Sequence, residues 1–207
     1  MKNGSICHIV AAVKGNRFPE KASGDLVIAA DAGYLWLTEN NVTPDLVIGD
    51  FDSAPPPKNA EVLRFPKEKD DTDTLLAIRE GLSRGYRFFR IYGAIGGLLD
   101  HTLANLQSLA FLSENGAVGI IVGDTECVRL LESGESVTLP AKHEGKRVSL
   151  FAYGEKARAS LSGLYYAGDD ILFTDGFPLG VGNLTTEKEA VIKVKEGQLL
   201  LVTEVPL

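Results

Sequence analysis

The chain has 207 residues, 44% of them hydrophobic and 24% charged, with a formal net charge of −7 at pH 7. A chain this long buries roughly 70% of the surface its unfolded form exposes, so it needs no disulfide or metal staple. The acidic balance and the lack of any basic block argue against a nucleic-acid partner, and no segment reaches the ~20 apolar residues of a membrane span. The only cysteines, Cys7 and Cys127, each sit in an apolar run. They read as buried free thiols in a reducing compartment, which implies a cytoplasmic protein. The N-terminal MKNGSICHIVAAVKG reads as a first strand and not as a signal peptide.

In chain order, Ser5–Val13, Leu26–Ala30 and Leu46–Gly49 are buried strands. DAGYLWLTENN between the last two suits a short helix with a polar stop, with Tyr34 and Trp36 packing as core. Glu61–Phe65 is a weak strand. Thr72 caps a helix over Asp73–Arg84, whose Leu75, Leu76, Ile78 and Leu82 form an apolar face. Phe88–Tyr92 is a strand ending in GAIGG, Asp100–Asn115 the next helix, and Val118–Val122 another buried strand. Continuous apolar strands alternating with helices indicate a parallel α/β sheet. After about Leu131 the pattern changes to short alternating runs: SVTL, RVSLFAY, ARASLSGL, EAVIKVKEG and QLLLVTEV. The expected fold is therefore α/β, a parallel-sheet N-terminal domain (1–135) followed by a small all-β sandwich domain (136–207).

In a parallel α/β sheet, ligands bind outside the carboxyl ends of the strands. The acids sort onto that edge: Asp31 after LVIAA, Asp50 and Asp52 after LVIG, Asp70, Asp71 and Asp73 before a helix, and Asp100 after the glycine turn. Singly, each has a plain reading. Asp100 and Thr72 can cap helices, Asp50 and Asp52 can form an Asx turn, and Asp70 and Asp71 can be a solvated pair. Together they repel one another unless a cation neutralises them. Hard oxygen ligands beside a phosphate suit magnesium. The three histidines, His8, His101 and His143, have no zinc-like spacing. GAIGG (Gly93–Gly97) lets backbone amides approach an anion just before a helix N-terminus. Lys67, Lys69 and Arg79 offer nearby positive charge, or are simply surface side chains.

The series AADAGYLWL, PDLVIGDFDS, KDDTDTLLAI and GAIGGLLDHTLANL, in that order and spacing, resembles the thiamine pyrophosphokinase family. The β half, with GLYYAGDD and FPLGVGNLTTEKEAVIKVKEGQLLLV, continues the resemblance, which covers nearly the whole chain. The resemblance implies transfer of the β,γ-diphosphate of ATP to the hydroxyethyl arm of thiamine, with release of AMP. It implies a homodimer whose site is shared between subunits, the α/β domain binding ATP and Mg2+ and the β domain binding thiamine. It assigns Asp50, Asp52, Asp70 and Asp73 to the metal, and Asp73 or Asp100 to acceptance of the hydroxyl proton. Asp31, Lys69, Gly96, Gly97 and Asn183 then contact the nucleotide or thiamine.

Three places depart from the family's usual pattern. Leu98 replaces an arginine before the Asp-His pair, Gly182-Asn183-Leu184 replaces serine-asparagine-glutamate, and Val13-Lys14-Gly15-Asn16 replaces a glycine-rich turn. The changed terminal turn leaves room for another alcohol, such as a pterin, or for a non-catalytic nucleotide-binding module.

Overall fold

The apolar runs ICHIV, LVIAA and LVIG become three neighbouring parallel strands, β1 (Ile6–Val10), β2 (Leu26–Ala30) and β3 (Leu46–Gly49). A computed structural model describes residues 4–51, 55, 60–66, 68, 70–186 and 188–207. Two compact units are present, Met1–Asp124 and Thr125–Leu207.

In the first unit, β4 (Glu61–Arg64), β5 (Phe88–Tyr92) and β6 (Val118–Val122) complete a parallel sheet of order β4-β3-β2-β1-β5-β6. Helices α1 (Gly33–Glu39), α2 (Asp73–Ser83) and α3 (Leu99–Glu114) connect its strands. β2 and β3 are buried along their whole length, as a strand covered on both faces must be. Trp36, Tyr34 and Leu37 of α1 pack on Val10, Val27, Ala29 and Val47. Each large side chain so buried contributes about 1.5–3 kcal/mol. The helix sits so close to β1 that a Cβ on Gly33 would lie 2.0 Å from the Val10 carbonyl oxygen, which restricts the position to glycine.

The chain runs from β1 outward to β4 and then returns to the other side of β1 with β5. The order therefore reverses between β1 and β5, where two adjacent connections leave the sheet in opposite directions and open a crevice. β1 ends at Val10 and not at Val13. Ala11 and Val13 instead bond to the β5 exit, through Ala11 N–H to Tyr92 O (2.8 Å) and Val13 N–H to Gly93 O (3.2 Å).

The second unit is antiparallel. β9 (Arg147–Ser162) and β12 (Ala190–Thr203) pair along almost their full length. β10 (Gly168–Thr174) and β11 (Gly180–Leu184) pair with opposite halves of β9. β8 (Ser136–Leu139) and β7 (Cys127–Leu131) do the same on β12. The expected runs RVSLFAY and ARASLSGL are thus one strand, and so are EAVIKVKEG and QLLLVTEV. Gly154 and Gly197 have positive φ and mark irregularities within long strands instead of turns between short ones. The units divide at Asp124, earlier than the expected 135, because β7 pairs with β12 from Cys127 to Leu131.

Candidate active site

A cleft of about 730 Å³ opens at the β1/β5 reversal. Its walls come from Ala11–Val13 after β1, Asp31 after β2, the start of α2, the glycine turn after β5, and one face of α3.

Asp31 continues β2 by one residue. Its N–H donates to Ile48 O (2.8 Å) while its own φ is +49°, so the chain turns sharply there and Asp31 lines the cleft. Tyr34, one turn into the same connection, donates its hydroxyl to Pro55 O (3.0 Å), tying Pro55 to α1. Burial, and then the Asp31 carboxylate, push the Tyr34 hydroxyl above its ordinary range.

At the start of α2, Thr72 is the N-cap and its Oγ1 accepts from Leu75 N–H (3.2 Å). This fixes Asp71 and Asp73 on either side, and both line the cleft. Asp71 is gripped by Arg79, with Nε to Oδ2 at 2.8 Å, and that guanidinium lies 4.7 Å from the centre of the Phe111 ring. Arg79 is therefore committed to a carboxylate. Asp70 is exposed and is not part of the cleft wall. Asp50 follows β3, half-buried and next to Phe51 at φ +60°, and it too lies off the wall. Asp52, Lys67 and Lys69 fall outside the described residues.

After β5, Gly93 (φ +64°) brings the turn so near Ala11–Val13 that a Cβ would meet Val13 O at 2.4 Å. Gly97 lines the cleft; Gly96 (φ +91°) is exposed beside it. The N-cap of α3 is Leu98, with no side-chain cap bond, and not Asp100. Asp100 lies in the first turn, exposed, with Oδ1 accepting from His101 N–H (2.8 Å). Leu98, His101, Thr102 and Asn105, spaced i, i+3, i+4 and i+7, present one face of α3 to the cleft. That polar helical stripe is the sequence signal that would have found His101, Thr102 and Asn105.

The structure thus brings together Asp31, Asp71, Asp73 and Gly97, and leaves Asp50, Asp70, Gly96 and Asp100 off the wall. The acids on this edge supply hard oxygen donors, the chemistry that fits magnesium. Among the described residues no three His, Cys, Asp or Glu side chains gather closely enough to form a ready-made cage. Magnesium tolerates that arrangement, since it keeps waters and takes phosphate oxygens as ligands.

Asn183 lies elsewhere, on a smaller apolar cleft of about 270 Å³ within the second unit, with Tyr166, Ile171, Phe173 and Val181. It is buried, and its carboxamide is used by backbone. Oδ1 accepts from Tyr166 N–H and Leu184 N–H, and Nδ2 donates to Tyr166 O, all at 2.9 Å. The left-handed position in this turn is held by Gly182 (φ +76°).

Residues 20–122 match the model of the thiamin pyrophosphokinase catalytic domain. The chain is 25% identical to the thiamine pyrophosphokinase of Bacillus subtilis, over 86% of each chain. The crystal structure of thiamine pyrophosphokinase from Bacillus subtilis superposes with a TM-score of 0.85 at 21% identity, covering 98% of this chain and 100% of the other. That of thiamin pyrophosphokinase from Geobacillus thermodenitrificans gives 0.79 at 25% identity and 96% of each.

Proposed function

Because the chain belongs to the thiamin pyrophosphokinase family, we propose that it transfers the diphosphate of ATP to the hydroxyethyl group of thiamine. The observation that carries this reading is the acid- and glycine-lined cleft at the β1/β5 reversal, whose lining from Ala30 to Asn105 lies within the matched residues. Its 730 Å³ is within the range of sites for ligands of nucleotide size.

The thiamine hydroxyl oxygen attacks the β-phosphorus. The bond from that phosphorus to the α–β bridging oxygen breaks, and AMP leaves with the electron pair. Asp73, the acid at the start of α2 on the cleft wall, takes the hydroxyl proton. The amides of Gly96 and Gly97, next to the N-terminus of α3, hold phosphate oxygens. Asp50, Asp52, Asp70 and Asp73 would hold magnesium, which when bound would neutralise charge on the phosphates. The chain's own contribution is positioning and preorganised charge.

The protein acts as a cytoplasmic homodimer in this reading. Exposed apolar side chains of the second unit, Tyr165, Tyr166, Phe177, Leu179 and Val181, support an interface there. No described helix is long and apolar enough to cross a membrane.

The test is product analysis with ATP, magnesium and thiamine. AMP and thiamine diphosphate should form in equal amounts, and AMP should not appear without thiamine. Release of ADP, or no thiamine-dependent AMP, overturns the reading.

A further inference from the structure

Three polar side chains of α3 look inward, and they behave differently. Thr102 Oγ1 donates to Leu98 O (3.2 Å) and Ser108 Oγ to Ala104 O (3.0 Å), so each bonds back into its own helix. Asn105 reaches out of the helix. Its Nδ2 donates to Ala94 O (2.7 Å) in the glycine turn eleven residues earlier. Asn105 is 6% exposed and Ala94 3%, so this bond is shielded from water. It ties the turn between Gly93 (φ +64°) and Gly96 (φ +91°) to the helix that follows.

The other end of the carboxamide has a different setting. Asn105 lines the cleft. Its Oδ1 meets no donor among the described residues, yet it is not among the fully enclosed, unpartnered atoms. An asparagine more than nine-tenths buried, with one end bonded and an acceptor left facing a cleft, is built to receive a hydrogen bond.

We propose that Asn105 positions the nucleotide: Nδ2 fixes the phosphate-binding turn, and Oδ1 accepts a hydrogen bond from the nucleoside. The inference rests on the cleft being the ATP site. The chemistry of the ligand selects the nucleoside end. An amide oxygen repels ionised phosphates, which offer only acceptors, whereas the glycine-turn amides attract them. The donors of ATP are the ribose hydroxyls and the adenine amino group. Asn105 therefore sets which end of the nucleotide lies against α3.

The experiment is calorimetric titration of the wild-type protein, Asn105→Leu and Asn105→Ser with ATP, 2′-deoxyATP, 3′-deoxyATP and ITP, in magnesium and without thiamine. Ser108→Ala serves as a control that removes a polar group from the same helix. Wild-type protein should bind at least one analogue lacking a donor about tenfold more weakly than ATP, the ~1.4 kcal/mol of one hydrogen bond. Both Asn105 variants should bind ATP about tenfold more weakly and bind that analogue as well as ATP. Ser108→Ala should keep the wild-type preference whatever its melting temperature. Variants that retain the wild-type preference overturn the inference and leave the ATP site standing, as does a wild-type protein that binds all four nucleotides equally. A wild-type protein that binds none overturns both. The serine variant covers the case in which the leucine variant does not fold.

Discussion

Asp73 and Asn183 each line a cleft, one in each unit, yet their surroundings ask opposite things of them. Asp73 stands at the open end of a parallel sheet, in the first turn of a helix that Thr72 caps without its help. Asn183 is knitted into the backbone of two strand connections and bonds both ends of its carboxamide to main chain. A polar group at a strand end can be altered with little effect on the fold, whereas one that satisfies buried backbone cannot. Exchanging each for a near neighbour should therefore cost activity in the first unit and stability in the second.

The largest expected effect is on turnover. Asp73→Asn should lower kcat by about 10²–10⁴-fold, the usual contribution of a positioned base. The melting temperature should move little, because loss of one charge from a first helical turn is worth about 0.3–1 kcal/mol. Steady-state AMP release and thermal unfolding of the same preparation check this. A variant that turns over normally removes Asp73 from the chemistry, and one that unfolds early erases the contrast with Asn183.

Asn183→Ala should be the reverse. It strands the N–H groups of Tyr166 and Leu184 and the Tyr166 carbonyl, and because these groups are only partly buried each costs about 1 kcal/mol, the low end of the range for a stranded partner. Asn183→Gly should do no better, since the left-handed residue in the turn is Gly182. Gly182→Ser, which restores the family's usual serine, places a side chain at φ +76° and should cost about 1–2 kcal/mol, although a Cβ there touches nothing. Denaturant unfolding of the three variants ranks them. Stability equal to wild type in Asn183→Ala would mean that its amide is free to serve a ligand.

The same contrast explains what the sequence could reveal. The parallel unit was legible because buried strands are continuous apolar runs, and each is followed by its connection in chain order. The acids at Asp31 and Asp73 could be placed on one edge from that rule alone. The reversal between β1 and β5 follows from strand order, which periodicity does not encode. In the β unit, Gly154 and Gly197 look like turn glycines until pairing shows β9 and β12 running through them. The family resemblance assigns Asn183 to a ligand, while an asparagine in a glycine turn equally suits shaping the chain. Only its partners on Tyr166 and Leu184, distant or adjacent in sequence, distinguish them. Asn105 belongs to the polar stripe His101, Thr102 and Asn105, but its partner is the main-chain carbonyl of Ala94, which no side-chain pattern marks.

A smaller effect concerns a buried group that neither cleft uses. His8 in β1 is 1% exposed, with Nε2 3.3 Å from Asp25 Oδ2 and Nδ1 3.4 Å from the Tyr92 hydroxyl. Burial holds its pKa below the ordinary 6.5; Asp25 opposes that shift, while Arg90 and Lys21 add to it. The folded protein therefore prefers neutral His8, and below about pH 6.5 the unfolded chain binds the proton more readily. Stability should decline as pH falls from that point and level off once folded His8 also protonates. Burial works against Asp25, but N–H bonds from Ile6 and Ala22, and His8 itself, keep its pKa below the usual 3.8. Its contribution is lost only in a separate, more acidic window. Melting temperatures from pH 7.5 to 5 check the first window, and His8→Gln should flatten it. An unchanged slope in that variant would assign the decline to other groups.

The smallest expected effect is at Leu98, where the first unit can be changed at almost no cost to its fold. Leu98 is 69% exposed, caps α3 with extended backbone and no side-chain bond, and lines the acid-bearing cleft. Leu98→Arg gives up little burial. A cation at a helix N-terminus opposes the macrodipole by about 0.3–1 kcal/mol. The cleft carboxylates of Asp31, Asp71 and Asp73 offset part of this, so the melting temperature should change by no more than about 2–4 °C. If ATP phosphates lie against the glycine turn beside residue 98, the added guanidinium meets them, and the KM for ATP should fall by about twofold to fivefold, the ≲1 kcal/mol of a solvent-exposed ion pair. Such a gain is screened and should shrink as ionic strength rises past about 0.15 M, where charges act over ~8 Å. The KM for thiamine has no reason to move with it. An ATP KM unchanged at low salt would place the phosphates away from the start of α3, and the glycine turn would then bind some other part of the substrate.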